Sequence, residues 1–165
     1  MSDAPFTEAD VRYLLKARKV IQGVIKDTTS DPNAPLLEII YRITRVDNPG
    51  DDIKLRLNAR RPKPVRVTLP RPRPSASLLW HGERIRGIDH KITHAVIKNG
   101  LVVGSVRGWH EHQWSRRDGD RRVIDVNEEM KKVQEDFRSI LRFCMERWRI
   151  ELVEEEDRQH ILKFT

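Results

Sequence analysis

Five of the six histidines in this chain lie between residues 81 and 112, and His110 and His112 stand one residue apart inside Gly108-Trp109-His110-Glu111-His112-Gln113-Trp114. On an extended strand, side chains alternate between faces, so both imidazoles share a face and Glu111 takes the other. Three chemistries are open to such a pair. In the first, His110 and His112 join His90, His94 and Asp89 as ligands of a transition metal such as zinc, which accepts imidazole and carboxylate donors. In the second, the site is a metal-independent ribonuclease that needs no cofactor. One histidine takes the proton of a ribose 2′-OH, another protonates the leaving 5′-oxygen, and a cation stabilises the phosphorane. His94, His110 and His112 with Arg86 or Arg107 are of the right types, and alternation makes histidine pairs better suited than His–Glu. In the third, nothing is catalysed: the histidines form a binding surface, and Trp109 and Trp114 stack on bases or pack in the core.

The elements that must position these residues follow from local pattern. Thr7 caps a helix expected over Glu8 to Lys26, with Asp10 in its first turn and Phe6 and Val11 placed as a hydrophobic staple. Thr28 to Pro35 has the composition of a loop. Leu36 to Val46 and Ile53 to Arg60 alternate as strands around an Asn-Pro-Gly turn, giving a hairpin with one buried and one basic face. Arg61 to Pro74 holds five prolines, which confines it to an edge strand with extended flanks. Ser77 to Trp80 and Arg84 to Asp89 are read as strands, and Asn99-Gly100 between apolar runs is the clearest two-residue hairpin signal. That hairpin returns the segment bearing His90 and His94 toward Trp109 to Trp114. Ser115 to Arg122 is read as a polar loop, Val123 to Val126 as a short strand or the approach to a helix. Met130, Val133, Phe137, Ile140, Leu141, Cys144 and Trp148 form an apolar stripe on a long helix from Glu128 to Arg149. The expected fold is α+β: an antiparallel sheet of five to seven strands with an N-terminal and a long C-terminal helix packed on one face. Residues 1–165 are read as a single domain, with 154–165 as a mobile or docked tail.

Bulk composition narrows the partners. The chain carries 32 Lys and Arg against 25 Asp and Glu, a net +7, with a pI near 9.8. The excess clusters: Lys54, Arg56, Arg60, Arg61, Lys63, Arg66, Arg71 and Arg73 fall in one acid-free stretch. Such a cluster suits a polyanion. A single cysteine, Cys144, excludes a disulfide framework and is read as a small buried hydrophobe. No apolar run is long enough to span a bilayer, and the polar start is not that of a signal peptide, so the expectation is a cytoplasmic protein with no membrane partner.

Leu79-Trp80, Arg84-Ile85-Arg86-Gly87-Ile88-Asp89, His94, Asn99-Gly100 and His110-x-His112, before a closing helix with Phe143-Cys144, resemble small uncharacterised prokaryotic proteins of toxin–antitoxin or mobile-element type. The likeness covers about residues 78–145. It implies a prokaryotic, phage- or defence-associated setting and carries no activity with it. The preferred sequence reading is a nucleic-acid-interacting protein, RNA before DNA, with RNA cleavage as its candidate activity. The rivals are an interaction module that binds a macromolecular partner, and a metal-dependent enzyme. Oligomeric state is left open.

Overall fold

The computed structural model describes residues 3–61 and 73–152. Its elements run α1 (Glu8–Lys16), β1 (Lys19–Asp27), β2 (Leu36–Arg45), β3 (Ile53–Arg60), β4 (Ser75–Trp80), β5 (Glu83–Lys98), β6 (Leu101–Ser115), β7 (Gly119–Asp125), α2 (Asn127–Met130), α3 (Phe137–Trp148) and β8 (Ile150–Leu152). The strands form one sheet in the order β7-β6-β5-β4-β3-β2-β1-β8. All pairs are antiparallel except β1 with β8.

This overturns the expected α+β sandwich. The molecule is mostly β: among the described residues, a mixed, curled half-barrel of eight strands with small helices that make up 18% of those residues. Two helices shrank. The first stops at Lys16 because Val20, Ile21, Val24 and Ile25 are β-branched and Gly23, at φ 142°, interrupts them. These residues form β1 instead, and β-branched side chains fit a pleated surface better than a helix. The second breaks in two. α2 ends at Met130, and Asp136 starts α3 afresh by accepting the Ser139 N–H at 2.8 Å. The apolar stripe therefore runs across a break in the backbone.

The N-terminal cap forms as its residues dictate. Thr7 and Asp10 make a reciprocal capping box, and Phe6 and Val11 are both buried. At the other end of α1, the chain reverses into β1 and buries Lys19 completely. Its Nζ donates to the carbonyls of Leu14 and Ala17, both at 2.7 Å, and to Leu15 at 3.3 Å. Burial, with Arg149 and Arg45 nearby, pulls this ammonium down to about 8. It thus stays protonated at neutral pH and can satisfy three carbonyls the helix end leaves open. Lys19→Met keeps the aliphatic stem and strands those carbonyls, so it is expected to lower stability by about 2 kcal/mol in chemical denaturation.

The core is a grid set by strand register. Ile39, Tyr41 and Ile43 lie opposite Leu57, Leu55 and Ile53, which lie opposite Ala76, Leu78 and Trp80. All nine are buried. Val11 and Leu14 of α1 and Ile140, Leu141, Cys144 and Trp148 of α3 belong to the same cluster. Cys144 is fully buried, which pushes its thiol well up. The proline-rich edge strand expected between Arg61 and Pro74 falls largely outside the described residues, as does the tail from 154 onward. Among the described residues, no helix is long and apolar enough to cross a membrane.

Candidate metal centre

The site is built on the β5–β6 hairpin. Asn99 at φ 55° and Gly100 at φ 78° form its turn, as the dipeptide predicts. Straight, the fifteen residues of β6 would span roughly 50 Å. Yet the Gly100 N–H lies 2.7 Å from Asp118 Oδ1, beyond the far end of the same strand, and the Asn99 N–H lies 2.9 Å from Oδ2. The hairpin therefore doubles back over its own sheet. His94, carried by the returning arm, packs edge-on against His110 and His112 with ring centroids 4.6 and 5.0 Å away, while those two are 5.0 Å from each other.

The orientation of the three rings is more informative than their proximity. His94 Nδ1 lies 2.9 Å from the Ala95 carbonyl, His110 Nδ1 3.1 Å from the Gly108 carbonyl, and His112 Nδ1 2.8 Å from the Asp120 carbonyl. A carbonyl only accepts, so each Nδ1 carries a proton, and in the neutral form of each ring the lone pair falls on Nε2. This is the arrangement in which a backbone carbonyl fixes the tautomer of a metal-binding imidazole. The Arg84 guanidinium also comes within 3.3 Å of His112 Nδ1. Both atoms are donors once that nitrogen is protonated, so the Asp120 bond decides the tautomer. His110 and His112 are buried, and among the described residues neither Nε2 has a hydrogen-bond partner. His112 Nε2 is 3.2 Å from Asp89 Oδ2, but off the axis a hydrogen bond needs.

Electrostatics point the same way. Burial lowers the pKa of His110 to about 4 against the pull of the Gly108 carbonyl, with His112 and His94 adding to the effect. Burial lowers His94 as well. These rings are neutral at pH 7, the form that ligates. Burial pushes the Asp89 carboxyl up, while the Arg84 guanidinium 3.1 Å away draws it below the ordinary carboxylate range. The Asp89 carboxylate thus sits beside the cluster, 3.2 Å from His112 Nε2. One ring nitrogen from each histidine lies within 4.8 Å of the other two. A tetrahedral zinc site places its nitrogens about 3.3 Å apart, so binding would draw them together by at most about 1.5 Å.

Other residues singled out from the sequence lie elsewhere. His90 leaves the cluster: it packs edge-on against Trp109 at 5.3 Å, with Arg73 3.4 Å from its Nδ1. Arg86 is on the opposite face with Glu111, 3.9 Å from its carboxylate, and Arg107 is exposed in the arm of the hairpin. Trp109 and Trp114 are buried, Trp114 against Phe6 at 4.9 Å, so neither offers a face for base stacking. Much of the basic stretch is already partnered. Lys54 pairs with Asp52, Arg56 with Glu38 and Arg73 with Glu135, while Arg61 donates to the Ala34 and Asp31 carbonyls. Arg60 is exposed, and Lys63, Arg66 and Arg71 lie outside the described residues. Sequence reading missed Asp118, Asp120 and Arg84. The hairpin dipeptide Asp118-Gly119 was the available signal, and it marks the β6–β7 turn.

Comparison with family models, curated proteins and solved structures finds no match to this chain.

Proposed function

We propose that the protein is a metal-dependent enzyme whose centre is a divalent transition ion, zinc first, held by the Nε2 atoms of His94, His110 and His112. The observation that carries this reading is the threefold Nδ1-to-carbonyl pattern. It leaves the Nε2 side of each ring to bind an ion in a cluster whose ring nitrogens lie within 4.8 Å of one another, and the Nε2 atoms of His110 and His112 are buried without a hydrogen-bond partner among the described residues. Three imidazoles leave an open coordination position, where a bound water becomes a nucleophile near neutral pH. Asp89, ionised and beside His112, is placed to take the proton from such a water. Arg84, 3.1 Å from Asp89, holds that carboxylate in place. The supported reaction class is metal-assisted hydrolysis. The net charge of +7 makes a polyanion, RNA before DNA, the first substrate to try.

The same geometry argues against the metal-free ribonuclease mechanism. The three rings pack edge-on within 5.0 Å of one another, and Arg84, the cation at the cluster, is already paired with Asp89 and Asp120.

The test begins with protein made without a polyhistidine tag. Elemental analysis after zinc dialysis should find one ion per chain, and His110→Ala and His112→Ala should each weaken zinc binding by roughly a hundredfold or more in chelator competition. Substoichiometric metal in the wild type, or unchanged affinity in both variants, overturns the centre. Labelled RNA should be cut by the zinc-loaded protein and spared after chelation. Cutting that survives chelator removes the metal from the mechanism.

A further inference from the structure

The part of the β5–β6 hairpin that carries His94 is separate from the sheet that carries its partners. β4 pairs with β5 only as far as Ile88, and β7 pairs with β6 only from His110 onward. Residues 91–108 thus form a two-stranded arm to which no third strand is paired among the described residues. Both of its strands are irregular where it departs. In β5 the pairing jumps from Lys91 to His94, and in β6 Gly108 stands at φ 85°. Asn127 brackets that point by accepting the Trp109 N–H at 2.8 Å and donating to the Arg107 carbonyl at 2.7 Å.

Beyond this hinge the arm gives nothing to the core. No residue from Lys91 to Arg107 is buried: His94, Val96 and Val106 are half-buried on the side facing the cluster, while Ala95, Val103 and Ser105 are exposed on the other. Few apolar contacts hold the arm down, so it belongs to the part of a structure that opens most readily. Its tip is held differently. Both oxygens of Asp118 take the turn amides of Asn99 and Gly100. Asp118 is 2% exposed, and the Ser115 hydroxyl fixes its own backbone by accepting its N–H at 3.1 Å. A rigid, buried carboxylate therefore ties down a loosely packed arm at its far end.

Building on the metal-centre reading, we propose that residues 91–108 are a flap latched by Asp118, and that Asp118 is a positioning residue that holds His94 on the ion. With the latch closed, the flap supplies the third imidazole and covers His110 and His112. With the latch open, His94 withdraws, leaving a two-histidine site that exchanges its ion and admits a ligand. The flap thus couples metal retention to access.

Asp118→Asn keeps the size of the side chain but turns an amide donor toward a backbone donor. It should weaken zinc binding about tenfold, the scale of a residue acting through a ligand, and shift the visible spectrum of the cobalt-substituted protein toward that of His94→Ala. In the His94→Ala background the same change should add nothing, because the latch has no ligand left to hold. A structural role alone would lower stability without moving the cobalt spectrum and would add its effect to that of His94→Ala. Wild-type hydrogen exchange gives a second reading that needs no variant: zinc should slow amides 92–107 more than those of β2 and β3. The flap fails alone if zinc binds and requires His94, His110 and His112, yet exchange in the arm is indifferent to zinc and Asp118→Asn binds it as the wild type does. Absence of zinc binding by the wild type overturns both flap and centre.

Discussion

Glu111→Ala is expected to lower folding stability by about 3–5 kcal/mol, the range for removing one partner from a buried ion pair. Glu111 is 3% exposed and points away from its two histidine neighbours into the helix side of the sheet. There it accepts from the Arg147 guanidinium and from Trp148 Nε1 at 3.3 Å, both on α3, and from Gln113 Nε2 at 3.1 Å. Arg86 lies 3.9 Å away with its side chain only 16% exposed. Truncation leaves Arg86 and Arg147 facing each other without a counter-charge, and that uncompensated charge, more than the lost bonds, is the source of the cost. Chemical denaturation of Glu111→Ala, Arg147→Ala and the double variant checks this. The double should cost clearly less than the sum of the singles. Additive losses would show that the two residues do not act as a pair.

Gly108→Ala is expected to cost about 3 kcal/mol, combining a left-handed backbone with a collision. At φ 85° an L side chain is strained, and the added Cβ would stand 2.4 Å from Asn127 Oδ1. Asn127 cannot yield without dropping its bonds to the Trp109 N–H and the Arg107 carbonyl. The urea midpoint should fall at unchanged slope. Asn127→Ala made in the Gly108→Ala background should be nearly neutral, since the clash has already been spent. Gly104→Ala is the control, because a Cβ there meets nothing within 4 Å. A loss at Gly104 equal to that at Gly108 would refute the local cause.

How far the fold was legible depended on whether a segment obeyed one period. β3 alternates cleanly, β2 does so apart from Ile40 on its second face, and Asn99-Gly100 demands positive φ, so these were readable and set the core grid and the hairpin. β1 was not. Two register irregularities, at Ile21/Gly23 and Val24/Lys26, erase its alternation, and the remaining Val and Ile spacing imitates a helix. The α2–α3 break was hidden for the opposite reason. Val133 and Phe137 keep helical spacing across it, and the only mark was Asp136 three residues before Ser139.

The site divided in the same way. Strand alternation placed His110 and His112 together and Glu111 apart, and the hairpin brought His94 to them. The exclusion of His90 turned on parity, since His90 stands directly opposite Trp109 while the irregularity after Lys91 returns His94 to the face of His110. An irregularity of that kind leaves no trace in residue types. The carbonyls that fix the rings were illegible for a simpler reason: they belong to backbone, which every sequence shares.

The parallel pairing of β8 with β1 has a consequence for how the molecule assembles. Lys19 lies opposite Ile150, Val20 opposite Glu151 and Ile21 opposite Leu152, so three ladder positions join segments about 130 residues apart in sequence. During synthesis, β1 emerges well before β8 and waits with one side unpaired while the segments between them are made. Contacts between such distant segments form late and slowly. An exposed strand side is also where nascent chains stick to one another. The short strand β8 is thus a closing stitch for β1, and its arrival ends the interval in which that edge stands open.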